Sequence, residues 1–507
     1  MTILKKIKQN ALNNPDREAF VLETSSSKDV LTWKELDEYS DYLAGYLNKN
    51  LKTKTPIVVY GHKDPFLIVC FLACVKSGRA YCPVDINVPL DRIKSIVEEV
   101  NPEIILSTWD LDIDRNILSI DKIKEIISLK ESKITEKNYV KKDDVFYIIF
   151  TSGSTGKPKG VQITRDCLDN FLKWAKKLGG KYENNKRYTF INQAPFSFDL
   201  SVMDLYLTLY TGGTLWSLPK CVQGDMELLC KSLKDSDANV WVSTPSFADV
   251  CLSEPNYSAK ILPNLKKFLF CGEVLTNKTV ERLQERFPDA KIINTYGPTE
   301  STVAITDILV SKTINKKIMP LPVGKPKRGT WIEIQDNKGN ILSEGEKGEI
   351  VIIGDSVSIG YFNNDELTKK VFGKKTIENK EYRYYKTGDE GYLKNNYLYY
   401  SGRIDLQIKL HGYRIEIEDV ENNFIKATNV KQVAVMPKIK DGKVVSLIAF
   451  VVNKENIEDE FQEALKLKEK LKKYVPDYMI PRKIKFVSSL PRTNNGKIDR
   501  KSLGELL

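Results

Sequence analysis

A glycine-rich segment at residues 151–160 (TSGSTGKPKG) most constrains what this chain can fold into. The segment follows the apolar run VFYIIF at residues 145–150, which is typical of a buried strand. Glycines allow close backbone approach, and backbone N–H groups, hydroxyls and ammonium groups together suit an anionic phosphate chain. The segment is not a Walker loop, because only Ser154 and Thr155 separate Gly153 from Gly156 and Pro158 follows Lys157. The alternative interpretation is a flexible surface loop.

The size and composition indicate a soluble protein with more than one domain. A chain of 507 residues is too long for one ordinary hydrophobic core, and 41% hydrophobic with 29% charged residues is typical of globular proteins. We see neither an apolar run long enough to span a membrane nor a secretory signal, and expect a cytoplasmic protein without membrane insertion. The eight cysteines form no C-x-x-C pair, so we expect buried, reduced thiols such as Cys70, Cys74 and Cys82.

The charge and the histidine content limit which partners and which types of reaction are expected. The net charge is +11, but the lysines are dispersed and form no basic stripe with interleaved aromatic residues, so we expect no nucleic-acid partner. Only two histidines occur, His62 and His411, which leaves little for a hydrolase that uses a histidine base. A nucleophile that needs no histidine is therefore expected. A carboxylate substrate meets this condition because it is already ionised at pH 7.

Strand-like and helix-like segments alternate through the first two thirds of the chain. Strand patterns fall at residues 56–60, 103–106, 240–243, 268–271 and 291–294, and helix patterns at 66–76 and 277–287. This alternation predicts a large domain, residues 1–402, built on mostly parallel α/β sheets. From about residue 320 short strand runs with Gly and Asn turns predict a β-rich subdomain. Residues 403–507 read as a small α+β domain with one amphipathic helix at 459–473.

Residues 294–300 (NTYGPTE) follow one of the predicted strands, and ligands bind at such strand ends in α/β sheets. Tyr296 offers a flat face for a base, Thr299 a hydroxyl, and Glu300 a hard oxygen ligand for Mg²⁺. The alternative is an ordinary Gly-Pro turn with a threonine N-cap.

Three further segments carry single charged side chains. Asp389 follows a tight turn (YKTGD) and could accept hydrogen bonds from both ribose hydroxyls; a plain hairpin turn is the alternative. Asp199 lies in an aromatic setting (FSFDLS) and, if buried, needs a partner such as a substrate ammonium; a helix N-cap is the alternative. Lys497, in a terminal NNGKIDR segment, would in isolation be a solvated lysine.

Taken together, these segments resemble the acyl-adenylate-forming superfamily, which includes acyl-CoA synthetases, firefly luciferase and peptide-synthetase adenylation domains. Its signatures match residues 151–160, 296–300, 387–389, 402–405 and 495–497 in order, so the resemblance covers essentially the whole chain. Residues 192–204, 241–247, 268–273 and 407–416 most resemble the branch of that superfamily that activates D-alanine for teichoic acid D-alanylation.

The resemblance implies a role for each matching residue. It implies ATP and Mg²⁺ as cofactors, with Glu300 at the metal. It places Lys497 as the catalytic residue, Asp199 at the substrate ammonium, Cys271 and Val303 around the small side chain, and Asp405 at a hinge. The ATP-binding set that it implies is Thr151, Ser152, Gly153, Ser154, Thr155, Gly156, Lys157, Asn294, Tyr296, Gly297, Pro298, Thr299, Asp389, Arg403 and Lys497.

Two half-reactions follow from the resemblance. The D-alanine carboxylate attacks the α-phosphate of ATP, and the phosphopantetheine thiol of a D-alanyl carrier protein then attacks the acyl-adenylate. The small domain is expected to be mobile and to rotate about Asp405 between the two steps. The chain is expected to be a monomer. Two alternatives stay open: a free-standing adenylation domain for another small amino acid, and a non-catalytic nucleotide or aminoacyl-adenylate sensor.

Overall fold

The computed structural model describes residues 1–131, 133–153, 157–183, 186–428, 430–440, 442–454, 457–492 and 498–505. The chain divides into two compact units. The first unit comprises Met1–Asp85, Val100–Ile149 and Gly160–Ile404, and the second comprises Ile86–Glu99, Phe150–Lys159 and Asp405–Leu507. The 402/403 domain boundary and the hinge at Asp405 stay predictions, although Asp405 does begin the last segment of the second unit.

A nine-stranded sheet is the centre of the first unit. Its central strands are parallel and its edges are antiparallel. The strands lie in the order Lys325–Pro326, Thr306–Leu309, Lys291–Tyr296, Lys267–Phe270, Val240–Ser243, Thr189–Asn192, Thr214–Ser217, Glu18–Glu23 and Lys28–Thr32.

The inner strands of this sheet are buried along their whole length, as in Val240–Ser243 and Lys267–Phe270. Such strands read as continuous apolar runs because helices cover both faces of a parallel sheet. Trp241 and Phe268 lie side by side in the sheet register and pack against Tyr257 and Phe287. The parallel α/β fold predicted from the sequence is confirmed.

Two further sheets contain the remaining strands up to residue 403. A six-stranded sheet has the order Ile117–Leu118, Ile105–Ser107, Ile57–Tyr60, Tyr81–Val84, Val145–Thr151 and Lys159–Thr164. A five-stranded antiparallel sheet contains Thr330–Gln335, Gly348–Gly354, Lys380–Lys394, Phe372–Ile377 and Tyr397–Arg403. The second of these confirms the predicted β-rich subdomain.

Helices surround the sheets of the first unit, and local sequence explains where several begin. Thr32 forms a capping box with Glu35, and Asp64 caps a helix whose first residue is Pro65. The helices are Ile3–Asn13, Trp33–Asn50, Pro65–Lys76, Ile120–Leu129, Arg165–Ala175, Leu200–Thr211, Lys220–Gln223, Met226–Ser236, Pro245–Cys251, Asn277–Arg286, Lys312–Lys317 and Asp365–Val371, with 3₁₀ turns at Glu136–Asn138 and Thr299–Ser301.

The second unit is a small α+β assembly, as predicted. Its antiparallel pair Gln407–Leu410 and Tyr413–Glu416 precedes a three-stranded sheet of Gln432–Lys440, Lys443–Val452 and Lys483–Phe486. Its helices are Leu90–Val100, which extends one residue past the unit's boundary, Ile417–Ala427, Glu460–Leu471 and Arg500–Gly504, with a 3₁₀ turn at Asp477–Met479. Val435, Ala449, Val451 and Leu471 are fully buried in its core.

Two sequence-based expectations concern thiols and membranes. Cys70, Cys74 and Cys82 are free and buried, as predicted, whereas Cys221 is exposed. Across the ranges described above, no helix combines the length and the apolar character needed to cross a bilayer.

Candidate active site

The predicted substrate residues lie at the carboxyl ends of two neighbouring strands of the nine-stranded sheet. These strands end at Phe270 and at Tyr296. Thr299 lies in the 3₁₀ turn after the strand Lys291–Tyr296, and its hydroxyl donates a hydrogen bond of 2.7 Å to Asp199 Oδ2. Asp199 is only 8% exposed. It occupies the N-cap position of the helix Leu200–Thr211, yet among the described residues its side chain makes no capping bond. The carboxylate therefore points to the strand end rather than to its own helix, which argues against the N-cap interpretation.

Cys271 and Val303 form a second contact at the same strand ends. Cys271 directly follows the strand Lys267–Phe270, is 3% exposed, and its thiol donates to the carbonyl oxygen of Val303 at 3.5 Å. Val303 and its neighbour Thr302 both have left-handed backbone conformations, with φ of 67° and 63°. This conformation is strained for β-branched residues, and such strain persists only where surrounding contacts hold it. The hydroxyl of Thr302 supplies one, a hydrogen bond of 2.7 Å to Ser356 O.

Glycine is required where this turn passes closest to its neighbours. A Cβ atom on Gly297 would lie 2.6 Å from the Cα of Ala304, too close for any side chain. Pro298 follows in an extended conformation and precedes the 3₁₀ turn Thr299–Ser301. The Gly-Pro pair is therefore a tight turn, and that turn carries Thr299 toward Asp199.

Glu300 is fully buried beside this turn. Its Oε1 accepts a hydrogen bond of 2.8 Å from the hydroxyl of Tyr361, and its carbonyl oxygen accepts from Ser358 N. Within the described ranges, no group of three or more His, Cys, Asp or Glu side chains is arranged to hold a metal ion. A lone carboxylate nevertheless has the hard oxygen chemistry that Mg²⁺ prefers, since Mg²⁺ sites commonly combine one or two carboxylates with substrate phosphates.

Tyr296, Asp389 and Arg403 form a buried polar cluster in the first unit. The hydroxyl of Tyr296 donates to Asp389 Oδ2 at 2.5 Å, and Arg403 Nη1 lies 2.8 Å from Asp389 Oδ1. Asp389 and Arg403 are directly opposite each other in neighbouring antiparallel strands, which fixes the ion pair through the sheet register. Burial, and then the nearby Asp389 carboxylate, raise the pKa of the Tyr296 phenol well above its usual value, so it stays a donor.

A β-bulge in the strand Lys380–Lys394 carries Asp389, where the sequence predicted a tight turn or a hairpin turn. Gly388 has a φ of 68°, its N–H donates to Glu349 Oε1, and the Thr387 hydroxyl accepts from Asp389 N at 3.0 Å. Asp389 therefore lies within a strand, and both turn interpretations of the YKTGD segment are wrong. The bulge nevertheless carries a buried carboxylate.

The remaining predicted ATP-binding residues divide between the two units. Asn294 is buried in the first unit, where its amide donates to Pro322 O. In the second unit the Ser152 hydroxyl donates to Arg414 O at 2.8 Å and accepts from Glu416 N. The Thr151 hydroxyl donates to Lys159 O, and the side chain of Lys157 is exposed. Gly153 approaches Lys157 O so closely that a Cβ would lie 2.3 Å from it. Ser154, Thr155, Gly156 and the predicted catalytic Lys497 lie outside the described residues.

The sequence did not point to Tyr361, whose hydroxyl donates to Glu300. It also did not point to Thr302, which has a left-handed backbone conformation and donates to Ser356 O. No local pattern marks Tyr361, because it is 61 positions from its partner. The consecutive left-handed residues at 302 and 303 also lack the Gly or Asn that normally signals such a conformation. Neither residue could have been identified from spacing alone.

Comparison with known proteins identifies the class. The family described as AMP-binding enzyme matches residues 7–362, and the AMP-binding enzyme C-terminal domain matches residues 419–497. These matches cover most of the chain and include the turn at Thr299 and Glu300. The protein therefore belongs to the AMP-binding enzyme family.

Two named proteins are similar to this chain over almost its whole length. The chain is 46% identical over 99% of its length to the D-alanine–D-alanyl carrier protein ligase of Bacillus cereus strain AH187, and 99% of that ligase is covered. The protein of the same name from Bacillus cytotoxicus is also 46% identical, with 99% of both chains covered.

Solved structures agree on the fold. The adenylation domain AlmE of Vibrio cholerae, in complex with glycyl-adenosine-5'-phosphate, matches with a TM-score of 0.83 at 22% identity, covering 99% of this chain and 97% of that one. An o-succinylbenzoate CoA synthetase from Bacillus subtilis matches with a TM-score of 0.82 at 20% identity, covering 99% and 98%. At this level of identity the likeness concerns the fold alone.

Proposed function

We propose that this enzyme activates D-alanine with ATP to form D-alanyl-AMP and transfers the D-alanyl group to the phosphopantetheine thiol of a D-alanyl carrier protein, for D-alanylation of lipoteichoic or teichoic acid. The observation that carries the proposal is the buried contact between Thr299 and Asp199 beside the contact between Cys271 and Val303. A carboxylate and a small apolar wall at the same strand ends are the two features that a small amino acid needs. The relatives that are 46% identical carry the name of this activity.

Asp199 binds the ammonium group of the amino acid in this account. The Thr299 hydroxyl donates to one oxygen of Asp199 and orients the carboxylate. A buried carboxylate has lost most of its hydration, so pairing it with an ammonium is strongly favoured. Cys271 and Val303 limit the space beside the substrate's α-carbon, which favours a methyl group and one handedness.

Asp389, Tyr296 and Arg403 recognise the nucleoside. Asp389 accepts the ribose hydroxyls, and the Tyr296 ring, set close to Tyr400 at 6.1 Å between centroids, packs against the base. Arg403 is held 2.8 Å from Asp389 and contributes positive charge at the ribose–phosphate end. The resemblance to the acyl-adenylate-forming superfamily implies these assignments, and the donor and acceptor chemistry of the cluster supports those of Asp389 and Arg403.

The first step needs charge stabilisation rather than a base, because the attacking carboxylate is already ionised. Glu300 would hold Mg²⁺, which supplies charge neutralisation at the phosphates when bound. We assign the same task to the glycine-rich segment and to Lys497, on the strength of their sequence. The enzyme is proposed to work in the cytoplasm, where ATP and the carrier are available.

Pyrophosphate exchange across a panel of amino acids tests the proposal. The enzyme, radiolabelled pyrophosphate and ATP would be incubated with D-alanine, L-alanine, glycine, D-serine or L-serine. We expect exchange to be fastest with D-alanine. Faster exchange with another small amino acid would replace the substrate assignment by that of a different adenylating enzyme, and no exchange with any would favour a non-catalytic sensor.

A further inference from the structure

A buried lysine that the proposed reaction does not use lies beneath the segment that carries Asp199. Lys63 is 1% exposed and has a left-handed φ of 50° between the strand Ile57–Tyr60 and the helix Pro65–Lys76. Its ammonium donates to Asn192 Oδ1 at 2.6 Å and to Asn192 O at 3.0 Å. It also lies 5.8 Å from the ring centre of Phe196. Lys63 therefore contacts Asn192, at the start of the segment, and Phe196 within the segment.

Asn192 connects the two ends of that segment. It is the last residue of the strand Thr189–Asn192 and is fully buried. Its side-chain amide donates to Asp204 Oδ1 at 3.0 Å and to Ala194 O at 3.2 Å. Asp204 is one turn into the helix Leu200–Thr211 and is also fully buried. Residues 193–203, including Asp199, thus comprise a loop and the first turn of that helix, and one side-chain hydrogen bond joins the two residues that flank this segment.

The hydrogen-bonding capacity of Asn192 is used completely. Its Oδ1 accepts from Lys63 and, at 3.1 Å, from the hydroxyl of Ser217, while both amide hydrogens are donated. An asparagine with every donor and acceptor engaged has one orientation available to it. Lys63 fixes that orientation, because its two bonds hold both the side-chain and the main-chain oxygen of Asn192.

Asn192 is bonded to both Lys63 and Asp204, and burial disfavours the charged form of each of these two groups. Burial lowers the pKa of Lys63 to about 7, and the carboxylates of Asp204 and Asp85 partly oppose that change. Burial raises the pKa of Asp204 well above its usual value, and Lys63 partly opposes it. Asp204 Oδ2 has no hydrogen-bond partner among the described residues, and the groups that favour the charged carboxylate are Lys63, the Asn192 amide and the backbone N–H of Leu205. A buried group with so few partners is costly to keep, which argues for a role beyond packing.

We propose that Lys63 is a positioning residue for amino-acid binding, which acts through Asn192 and Asp204 to hold residues 193–203 closed and so keeps the Asp199 carboxylate against Thr299. This inference rests on the proposed function, because it assigns the amino acid's ammonium to Asp199.

Two methionine variants at opposite ends of one helix test the proposal. Lys63→Met keeps the length of the side chain but removes its charge and donors. Lys76→Met is the matched control: Lys76 ends the helix Pro65–Lys76, is also 1% exposed, and is bonded to Asp37 at 2.8 Å and Asp41 at 2.7 Å. Both variants should lower the melting temperature. Only Lys63→Met should raise the KM for the amino acid, on the order of tenfold, and the KM for ATP should be unchanged. The reason is that this variant alone removes the two hydrogen bonds from a charged donor to Asn192, which precedes the segment that carries Asp199.

Hydrogen–deuterium exchange provides a readout that does not depend on activity. In Lys63→Met, peptides covering residues 193–203 should exchange faster than in the unmodified protein, and in Lys76→Met they should not. If Lys63→Met does not fold, Asp204→Leu and Asp204→Asn replace it. Asp204→Asn retains an acceptor for the Asn192 amide, so it should raise the amino-acid KM and the exchange rate less than Asp204→Leu does.

The outcomes separate this inference from the proposed function. The kinetic comparison uses whichever amino acid the unmodified enzyme prefers, so a wrong substrate assignment leaves it intact. If no amino acid supports exchange of pyrophosphate, the proposed function fails, and the deuterium measurement still decides whether the loop is held by Lys63. Equal changes in Lys63→Met and Lys76→Met, or equal effects on the KM values of ATP and amino acid, would overturn the inference.

Discussion

The hydroxyl of Thr299 donates a hydrogen bond of 2.7 Å to the carboxylate of Asp199, which is 100 positions away along the chain. One residue lies in the turn after a central strand and the other at the start of a buried helix. Their contact joins the two segments from which a substrate ammonium would be bound.

Asp199→Asn should therefore lower kcat/KM for D-alanine by at least about a hundredfold, because removing one charge from a buried ion pair costs about 3–5 kcal/mol. Thr299→Val should have a smaller effect, about tenfold, since it removes one hydrogen bond to a charged group. Pyrophosphate exchange at varied D-alanine measures both. Inhibition by propionate, which lacks the ammonium, is the control and should be unaffected; weakened propionate binding in Asp199→Asn would indicate general damage to the pocket.

Cys271→Ala should reduce the preference for D- over L-alanine by about tenfold, because one heavy atom in a small pocket is worth about 1–3 kcal/mol of discrimination. The thiol contacts the carbonyl oxygen of Val303, so its loss also frees the strained turn. Exchange rates with the two enantiomers give the ratio. Cys251→Ala is the matched control, since Cys251 is also buried but packs in a different hydrophobic cluster from Cys271. An unchanged ratio in Cys271→Ala would remove Cys271 from the specificity pocket.

Tyr296→Phe should raise the KM for ATP several-fold and leave the KM for D-alanine unchanged. The substitution removes the 2.5 Å bond to Asp389 and leaves that buried carboxylate with one fewer donor, a loss of about 1–3 kcal/mol. Tyr399→Phe serves as the control, because Tyr399 lies in the neighbouring strand and stacks on Tyr392 instead. A rise in the D-alanine KM alone would contradict the assignment of this cluster to the nucleoside.

Lys267 predicts a pH dependence of stability that is unrelated to catalysis. Its ammonium donates to Leu178 O at 3.0 Å and Gly180 O at 2.7 Å, and burial, with a smaller effect of Lys291, lowers its pKa to about 8. Between about pH 8 and 10.5 the unfolded chain therefore binds more protons at this site than the folded protein does. The contribution of Lys267 to the free energy of unfolding should rise with pH through that window.

Urea unfolding of the unmodified protein and Lys267→Met at pH 7.5, 8.5 and 9.5 measures this contribution. The difference in free energy of unfolding between the two proteins should shift in favour of the lysine as pH rises, by at most about 1.4 kcal/mol per pH unit for one proton. A difference that is constant, or that shifts the other way, would show that the folded lysine keeps an ordinary pKa.

The sequence predicted the elements of the fold well, because the strands are short apolar runs bounded by turn residues. The pattern at residues 240–243 matches the strand Val240–Ser243, and the pattern at 459–473 contains the helix Glu460–Leu471. It also predicts Asp199, Tyr296, Thr299 and Asp389 as site residues. Asp199, Tyr296 and Thr299 stand beside turns or helix starts whose local signals are strong, whereas Asp389 lies in a bulge within a strand.

The partners of those residues could not be predicted. Asp199 with Thr299, Tyr296 with Asp389, and Glu300 with Tyr361 are pairs that only the packing of separate sheets, turns and helices brings together. Lys63 was not singled out at all, because a lysine beside a helix start is normally solvated and nothing local reveals that Asn192 and Asp204 surround it. Long-range packing decides these contacts, and a single sequence does not display it.

Loading of a carrier protein is the most direct measurement of the proposed ligase activity. The enzyme would be incubated with ATP, Mg²⁺ and D-alanine in the presence of a phosphopantetheinylated D-alanyl carrier protein, and the carrier's intact mass would be measured. We expect a mass increase of one alanyl group, faster with D- than with L-alanine, and absent on a carrier that lacks phosphopantetheine. Formation of alanyl-AMP with no change in the mass of the phosphopantetheinylated carrier would contradict it.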